Sequence, residues 1–393
     1  MSAPVRSPRP ARRRTGWRPV MAGTTTPEFA VIAATSAALL VVGLVMTFSA
    51  SFVEAAREGN AFSIGVRQLA SCLVGLPAMA LAASVDYRVW RRWALPLLLL
   101  GLLAATLVLV PGIGVEANGA RRWIPLGPLP FQPSELLKLV VPLYLAMVLD
   151  RRWARLRAGD LRGLLLPALP LLVLVAVLIM LEPDLETAAL VAAIGGLVLF
   201  AAGLPWRMIV VGSGALAVFG AVAIATTAFR RARFAAWLDP MAHADTAGYQ
   251  TVQGLIALGS GGWFGTGLGQ GRGKWLYVPN AHTDFIYAII GEELGLVGAL
   301  AVLFLFAALA VAGVRTARRA PDPFGRLLAT GITGWMLLQA GMNMGSVVGL
   351  LPVTGVTLPL VSYGGSSLVI TMVGLGVLLS IARAGRPPEA TAS

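Results

Sequence analysis

The chain has 393 residues, 57% of them hydrophobic and only 12% charged, with a mean hydropathy of +0.79 and a formal net charge of +13. These values exclude a soluble globule and predict an all-α, polytopic membrane protein. The single cysteine, Cys72, excludes a disulfide framework, and the positive balance, nearly all arginine, has to be read first as membrane topology rather than as nucleic-acid binding.

Residues 1–27 are rich in Pro and Arg and carry no apolar run, so they are predicted to be a disordered basic tail that anchors topology. A membrane domain, residues 28–383, follows. Ten spans of roughly the ~20 residues a bilayer requires are predicted near 28–50, 62–84, 92–110, 133–149, 162–181, 185–203, 207–228, 284–312, 326–350 and 366–383. Residues 111–132 read as a Gly/Pro-rich loop, 229–283 as one large extracytoplasmic loop, and 384–393 as a short cytoplasmic tail. Most arginines fall on one side if the N-terminus is cytoplasmic, which predicts both termini inside. That orientation sends every loop with unusual polar residues to the outer face: 118–132, 182–186, the large loop and 351–367. No internal repeat is evident, which argues against a repeat-built transporter.

The large loop holds nine glycines between Gly254 and Gly273, too many for a stable helix interior. It turns apolar after His282, Thr283 and Asp284. A carboxylate at the mouth of a bilayer helix is costly unless used or paired. As a cap, Thr283 or Asp284 would sit by free backbone N–H groups, and the helix dipole would lower the Asp284 pKa. An ionised Asp284 is a candidate catalytic base, or a ligand for a divalent cation such as Mg2+ or Mn2+. Further along the same helix, Glu292 and Glu293 are expected to pair with neighbouring helices, with Gly291, Gly295 and Gly298 permitting close packing.

Glu135 and Lys138, in PSELLKL, share a helix face at i,i+3 spacing; they read as a local ion pair or as a headgroup contact through Lys138. Arg121 and Arg122, in NGARRWIPLG, are the best outer-face anion binders, since their forks match phosphate oxygens, and Lys274 adds charge beside Trp275. Arg230, Arg231 and Arg233 read as residues that flank a span. Glu182, Asp184 and Glu186 crowd one turn and would repel one another unless a basic group sits among them. His243 lies near Asp245 without a second His or a Cys, so no zinc site is assigned. The last outer segment, LLPVTGVTLPLVSYGGSS, which includes Ser362, cannot be regular helix and has to be buried in protein or line a cavity.

NGARRWIPLG with QPSELLKL, EPDLETA, YQTVQGLIALGSGGWFGTGLGQ, HTDFIYAIIGEELGLVG and GLLPVTGVTLPLVSYGGSS resemble the SEDS family of bacterial cell-wall polymerases, over roughly residues 118–383. QGLIALGSGG, PNAHTDF and NMGSVVGLLPVTG are similar to the division branch (FtsW-like) more than to the rod-elongation branch (RodA-like). The resemblance implies a ten-span SEDS-type fold in the bacterial cytoplasmic membrane, at the division septum. It also implies an inverting peptidoglycan glycosyltransferase that polymerises lipid II into β-1,4 glycan strands. Asp284 is then the catalytic residue. Arg121, Arg122, Glu135, Lys138, Lys274 and Ser362 are substrate-binding candidates. A class B penicillin-binding protein, a transpeptidase, and other divisome proteins are the implied partners, and a divalent cation the implied cofactor. Glu186 departs from the resemblance, standing where such chains usually have Gly. Three alternatives stay open: a lipid II flippase, an elongation-branch polymerase and a non-catalytic divisome scaffold.

Overall fold

In chain order the helices are α1 (Pro27–Arg57), α2 (Ser63–Ser84) and α3 (Trp90–Leu107), then α4 (Pro133–Arg151), a short α5 (Trp153–Arg157), α6 (Leu161–Leu181) and α7 (Leu185–Ala201). They continue with α8 (Trp206–Ala225), α9 (Ala228–Leu238), α10 (Tyr249–Ser260), α11 (Ile286–Arg319), α12 (Pro323–Val347) and α13 (Gly365–Ala384). The structure is a computed structural model that describes residues 26–57, 59–117, 120–125, 127 and 130–385. The predicted N-terminal tail, up to residue 25, and residues 386–393 of the C-terminal tail lie outside the described residues.

Among the described residues, seven helices are long and apolar enough to cross a membrane: those at 27–57, 63–84, 87–107, 161–181, 206–225, 286–319 and 365–384. The other three predicted spans coincide with α4, α7 and α12. α7 is shorter and α4 opens with the Glu135–Lys138 pair. α12 sits innermost, with Trp335, Met336, Gln339 and Asn343 fully buried. It packs on α11, α7, α4 and α13, while α13 lies along α2 and α1 along α11. α8 stands at the margin, where Ala223 is its one buried residue.

Two predicted loops contain more order than the sequence suggested. Within 111–132, β1 (Val115–Ala117) and β2 (Ala120–Trp123) pair antiparallel, with Glu116 opposite Arg121. Within 229–283 lie all but the first residue of α9, the whole of α10 and a π-helical turn at Gly273–Tyr277. α10 includes Gly254 and Gly259, because Gly254 leaves room for the Phe285 ring.

α11 is broken at Gly295, whose φ of 69° and ψ of −170° are non-helical and suit a residue without Cβ. The strand of chain after α10 fills the break. Thr266 and Gly267 donate to the carbonyls of Glu292 and Glu293 at 2.9 and 3.1 Å, and Leu296 and Val297 donate to Gly262 and Trp263 at 2.9 and 3.2 Å. The main-chain groups freed by the break are thus satisfied by protein, as membrane depth demands. A side chain at 295 would strike the backbone of residues 263–265, so Gly295 permits close packing of a loop rather than of a neighbouring helix.

Glu292 and Glu293 complete this junction. Glu292 accepts from the Arg272 and Gly273 amides at 2.7 and 3.0 Å, so its partner is the loop and not another helix as predicted. Glu293 accepts from Ser49 of α1, from the Gly269 amide and from the Lys274 ammonium, the last at 3.1 Å.

Candidate functional site

The four polar segments predicted to share one face meet at one end of the bundle. Arg122 of β2 reaches the 182–184 turn, Arg230 of α9 donates to Pro183 at 3.4 Å, and Trp237 of α9 donates to Gly349 at 3.0 Å. The Tyr363 amide donates to the carbonyl of His282 at 2.9 Å. The opposite end holds Arg88 against Asp322 at 2.8 Å and Arg91 against Asp150 at 2.7 Å.

Asp284 stands at the first end, half-buried, in a turn closed by Thr283 and Phe285 amides donating to the carbonyl of Asn280. The predicted cap is corrected here. The residue at the N-cap of α11 is Phe285, and neither Thr283 nor Asp284 caps the helix with its side chain. The predicted pKa direction is corrected as well. Burial pushes the Asp284 carboxyl up to about 6, against the Arg233 guanidinium, His282 and a Thr283 hydrogen bond, which pull it down; Glu186 adds to the rise. Desolvation outweighs the helix terminus because the carboxylate does not accept from the terminal amides.

Arg233 of α9 is therefore the strongest charge acting on Asp284. It lies 4.0 Å from Glu186 and over the Phe229 ring at 4.6 Å. The crowded turn is relieved by Arg122, which donates to the carbonyls of Glu182 and Pro183 at 2.9 and 2.7 Å and lies 3.7 Å from Asp184. Asp184 itself caps α7 through the Thr187 amide at 3.0 Å. Glu182 is fully buried with neither carboxyl oxygen bonded, and burial with the nearby Asp184 charge drives its pKa up to about 8.

The other predicted site residues divide by exposure. Arg121 is partly exposed and lies 3.5 Å from Glu116 across the hairpin. Lys138 is buried, donating to Glu135 at 2.7 Å and to Gln339 at 2.9 Å, and Ser367 donates to Glu135 at 2.8 Å. Lys274 is buried at the α11 break, with Gly269, Glu293 and Ser49 around its ammonium. The Ser362 hydroxyl is buried, accepts from the Leu358 amide at 2.8 Å and closes a turn.

Sequence reasoning missed three residues. Gln339 and Asn343 are buried amides four apart on one face of α12; that spacing in a bilayer helix was a readable signal. Asn343 donates to the carbonyl of Asp284 at 2.8 Å. Arg233 was indistinguishable from its two neighbours, because what singles it out is its nearness to residues far away in sequence.

For the implied divalent cation, no group of three or more His, Cys, Asp or Glu side chains among the described residues could hold a metal ion. The strongest charge on Asp284 is a guanidinium, with the Glu186 carboxylate near enough to oppose it. These residues do not form an all-protein cation cage.

The family model for FtsW, RodA and SpoVE, described as cell cycle proteins, matches residues 30–386. A probable peptidoglycan glycosyltransferase FtsW of Trichlorobacter lovleyi is 41% identical over 348 residues, 88% of this chain and 90% of that protein. One chain of a solved peptidoglycan synthase complex that coordinates polymerization and crosslinking is similar with a TM-score of 0.74 and 34% identity, covering 90% of this chain and 96% of that one. The rod shape determining protein RodA of Thermus thermophilus is similar with a TM-score of 0.65 and 33% identity, over 91% of this chain and 97% of that one.

Proposed function

The chain belongs to the FtsW/RodA/SpoVE family of cell cycle proteins, and from that premise we propose that it is a septal peptidoglycan glycosyltransferase that polymerises lipid II. The observation that carries this reading is the half-buried Asp284, raised to about 6 yet still largely ionised at neutral pH, under the influence of Arg233 at the polar end of the bundle. A base tuned close to the working pH combines a large ionised fraction with real proton affinity.

In this reading the polar end faces outward and both termini are cytoplasmic. Asp284 takes the proton of the 4-hydroxyl of the acceptor N-acetylglucosamine as that oxygen attacks the anomeric carbon of the donor. The bond from that carbon to the lipid pyrophosphate breaks, and the pyrophosphate carries away the electron pair. Attack opposite the leaving group inverts an α-linked donor to a β-1,4 link. Arg233 and Arg121, both partly exposed, supply positive charge for the leaving group. Arg122 braces the 182–184 turn, while Lys138, Lys274, Glu135 and Ser362 are committed to interior bonds and act on the shape of the site. The bilayer brings substrate to the protein, and a class B penicillin-binding protein crosslinks the product beside it.

The test is lipid II polymerisation by the purified protein, with and without its transpeptidase, and with translocation scored separately. Asp284→Asn is expected to abolish glycan synthesis while the protein stays folded. Continued synthesis by that variant would refute the reading, and translocation without synthesis by the unaltered protein would favour a flippase.

A further inference from the structure

Asn343 of α12 is fully buried, and its amide nitrogen donates twice: to the carbonyl of Asp284 at 2.8 Å and to the carbonyl of Val356 at 2.8 Å. An amide nitrogen has two hydrogens, so both are spent. The side-chain oxygen has no partner. Rotating the amide would set that oxygen against two carbonyl oxygens, so the chemistry fixes the orientation. One turn along the same face, Gln339 donates to the carbonyl of Thr357 at 2.9 Å and accepts from Lys138 and Trp335 at 2.9 and 2.7 Å. Two consecutive carbonyls of the irregular segment 353–357 therefore hang from two side chains of one helix.

The same segment faces the Asp284 carboxylate. A methyl group at position 355 would have Asp284 Oδ2 as its nearest neighbour, at 3.8 Å. Gly355 thus leaves room between main chain and carboxylate, and Asn343 bonds to the main-chain carbonyls of the residues on either side of it, Asp284 and Val356, the neighbour of Gly355.

We propose that Asn343 is a positioning residue for glycosyl transfer: by tying Asp284 to Val356 it sets the width of the gap, walled by Gly355, through which the acceptor hydroxyl reaches the carboxylate. This rests on the reading of Asp284 as the base. Displacing a reacting group by about 1 Å costs on the order of 10²-fold in rate, so a clamp on the base acts on turnover.

The experiment uses the purified full-length protein in lipid-containing micelles and follows lipid II polymerisation, half-saturating substrate and melting temperature. Asn343→Ala is expected to lower turnover about 10²-fold with half-saturation nearly unchanged. Gly355→Ala, which fills the gap and leaves the clamp in place, is expected to lower the rate at least tenfold without a change in melting temperature. Wild-type turnover in a folded Asn343→Ala protein would overturn the proposal. If that variant does not fold, Gly355→Ala decides alone, and a wild-type rate there overturns it. An inactive Asp284→Asn beside a fully active Asn343→Ala would remove only this inference, whereas an active Asp284→Asn would remove the assignment of the base itself.

Discussion

Glu186 lies 4.0 Å from Arg233, and that guanidinium is the strongest charge acting on Asp284. The residue that departs from the family resemblance is therefore part of the electrostatics of the site. Its negative charge raises the Asp284 carboxyl, and its pairing competes for the group that lowers it.

Replacing Glu186 with Gln removes that charge and should move the acid limb of the pH–rate profile downward. At pH 6, where the native carboxyl is half ionised, the variant should run up to about twofold faster, with little change at pH 8. An acid limb that stays in place, or moves upward, would disconnect Glu186 from Asp284.

The native protein should lose activity as pH falls through about 6, tending to a tenfold loss per further unit, because protonated Asp284 cannot accept the hydroxyl proton. Stability has the opposite dependence. A carboxyl raised from 3.8 to about 6 by folding contributes stability that is present below pH 3.8 and lost as pH rises through about 6. Asp284→Asn should melt higher than the native protein at pH 7, and the two should converge below pH 4.

Glu182 offers a cleaner case, since it is fully buried and raised from 4.5 to about 8. Its contribution to stability is lost progressively between pH 4.5 and 8. Glu182→Gln keeps the shape of the neutral acid. The variant should retain activity, and its melting temperature should exceed the native value by a margin that grows to pH 8 and then levels off. A less stable variant at pH 8 would mean that the buried carboxyl is held as an anion.

Lys274→Ala should cost about 3–5 kcal/mol, because it leaves Glu293 as a buried charge without its cation. Adding Glu293→Gln should restore part of that loss. Urea unfolding in micelles measures both. If instead Lys274→Ala were as stable as the native protein and only weakened substrate binding, Lys274 would belong to the leaving-group site that the sequence suggested.

The bilayer helices were legible because apolar runs of the right length admit few other structures, and the Glu135–Lys138 pair because its partners are one helical turn apart. The break in α11 was not legible. Gly295 was one glycine among several, and what forces it out of helical geometry is the docking of residues 262–267. Asp284 stands out in the sequence by its place at a helix mouth, but the direction of its pKa does not follow from that place. The Arg233 charge that acts on it comes from about fifty residues earlier in the chain, and its burial from tertiary packing. Arg122 shows the same limit: its guanidinium is spent on a turn sixty residues further on.

The interruption of α11 also separates load from chemistry. Residues 296–319 alone form a rod of ~36 Å at 1.5 Å per residue, enough to cross the ~30 Å hydrocarbon layer unaided. The short piece before Gly295, which carries Asp284 at its head, is excused from spanning and is moored sideways to Ser49 of α1 and to the glycine loop. The crossing is carried by the long rod, while the shelf that bears the carboxylate is held from the side by the same loop that fills the break.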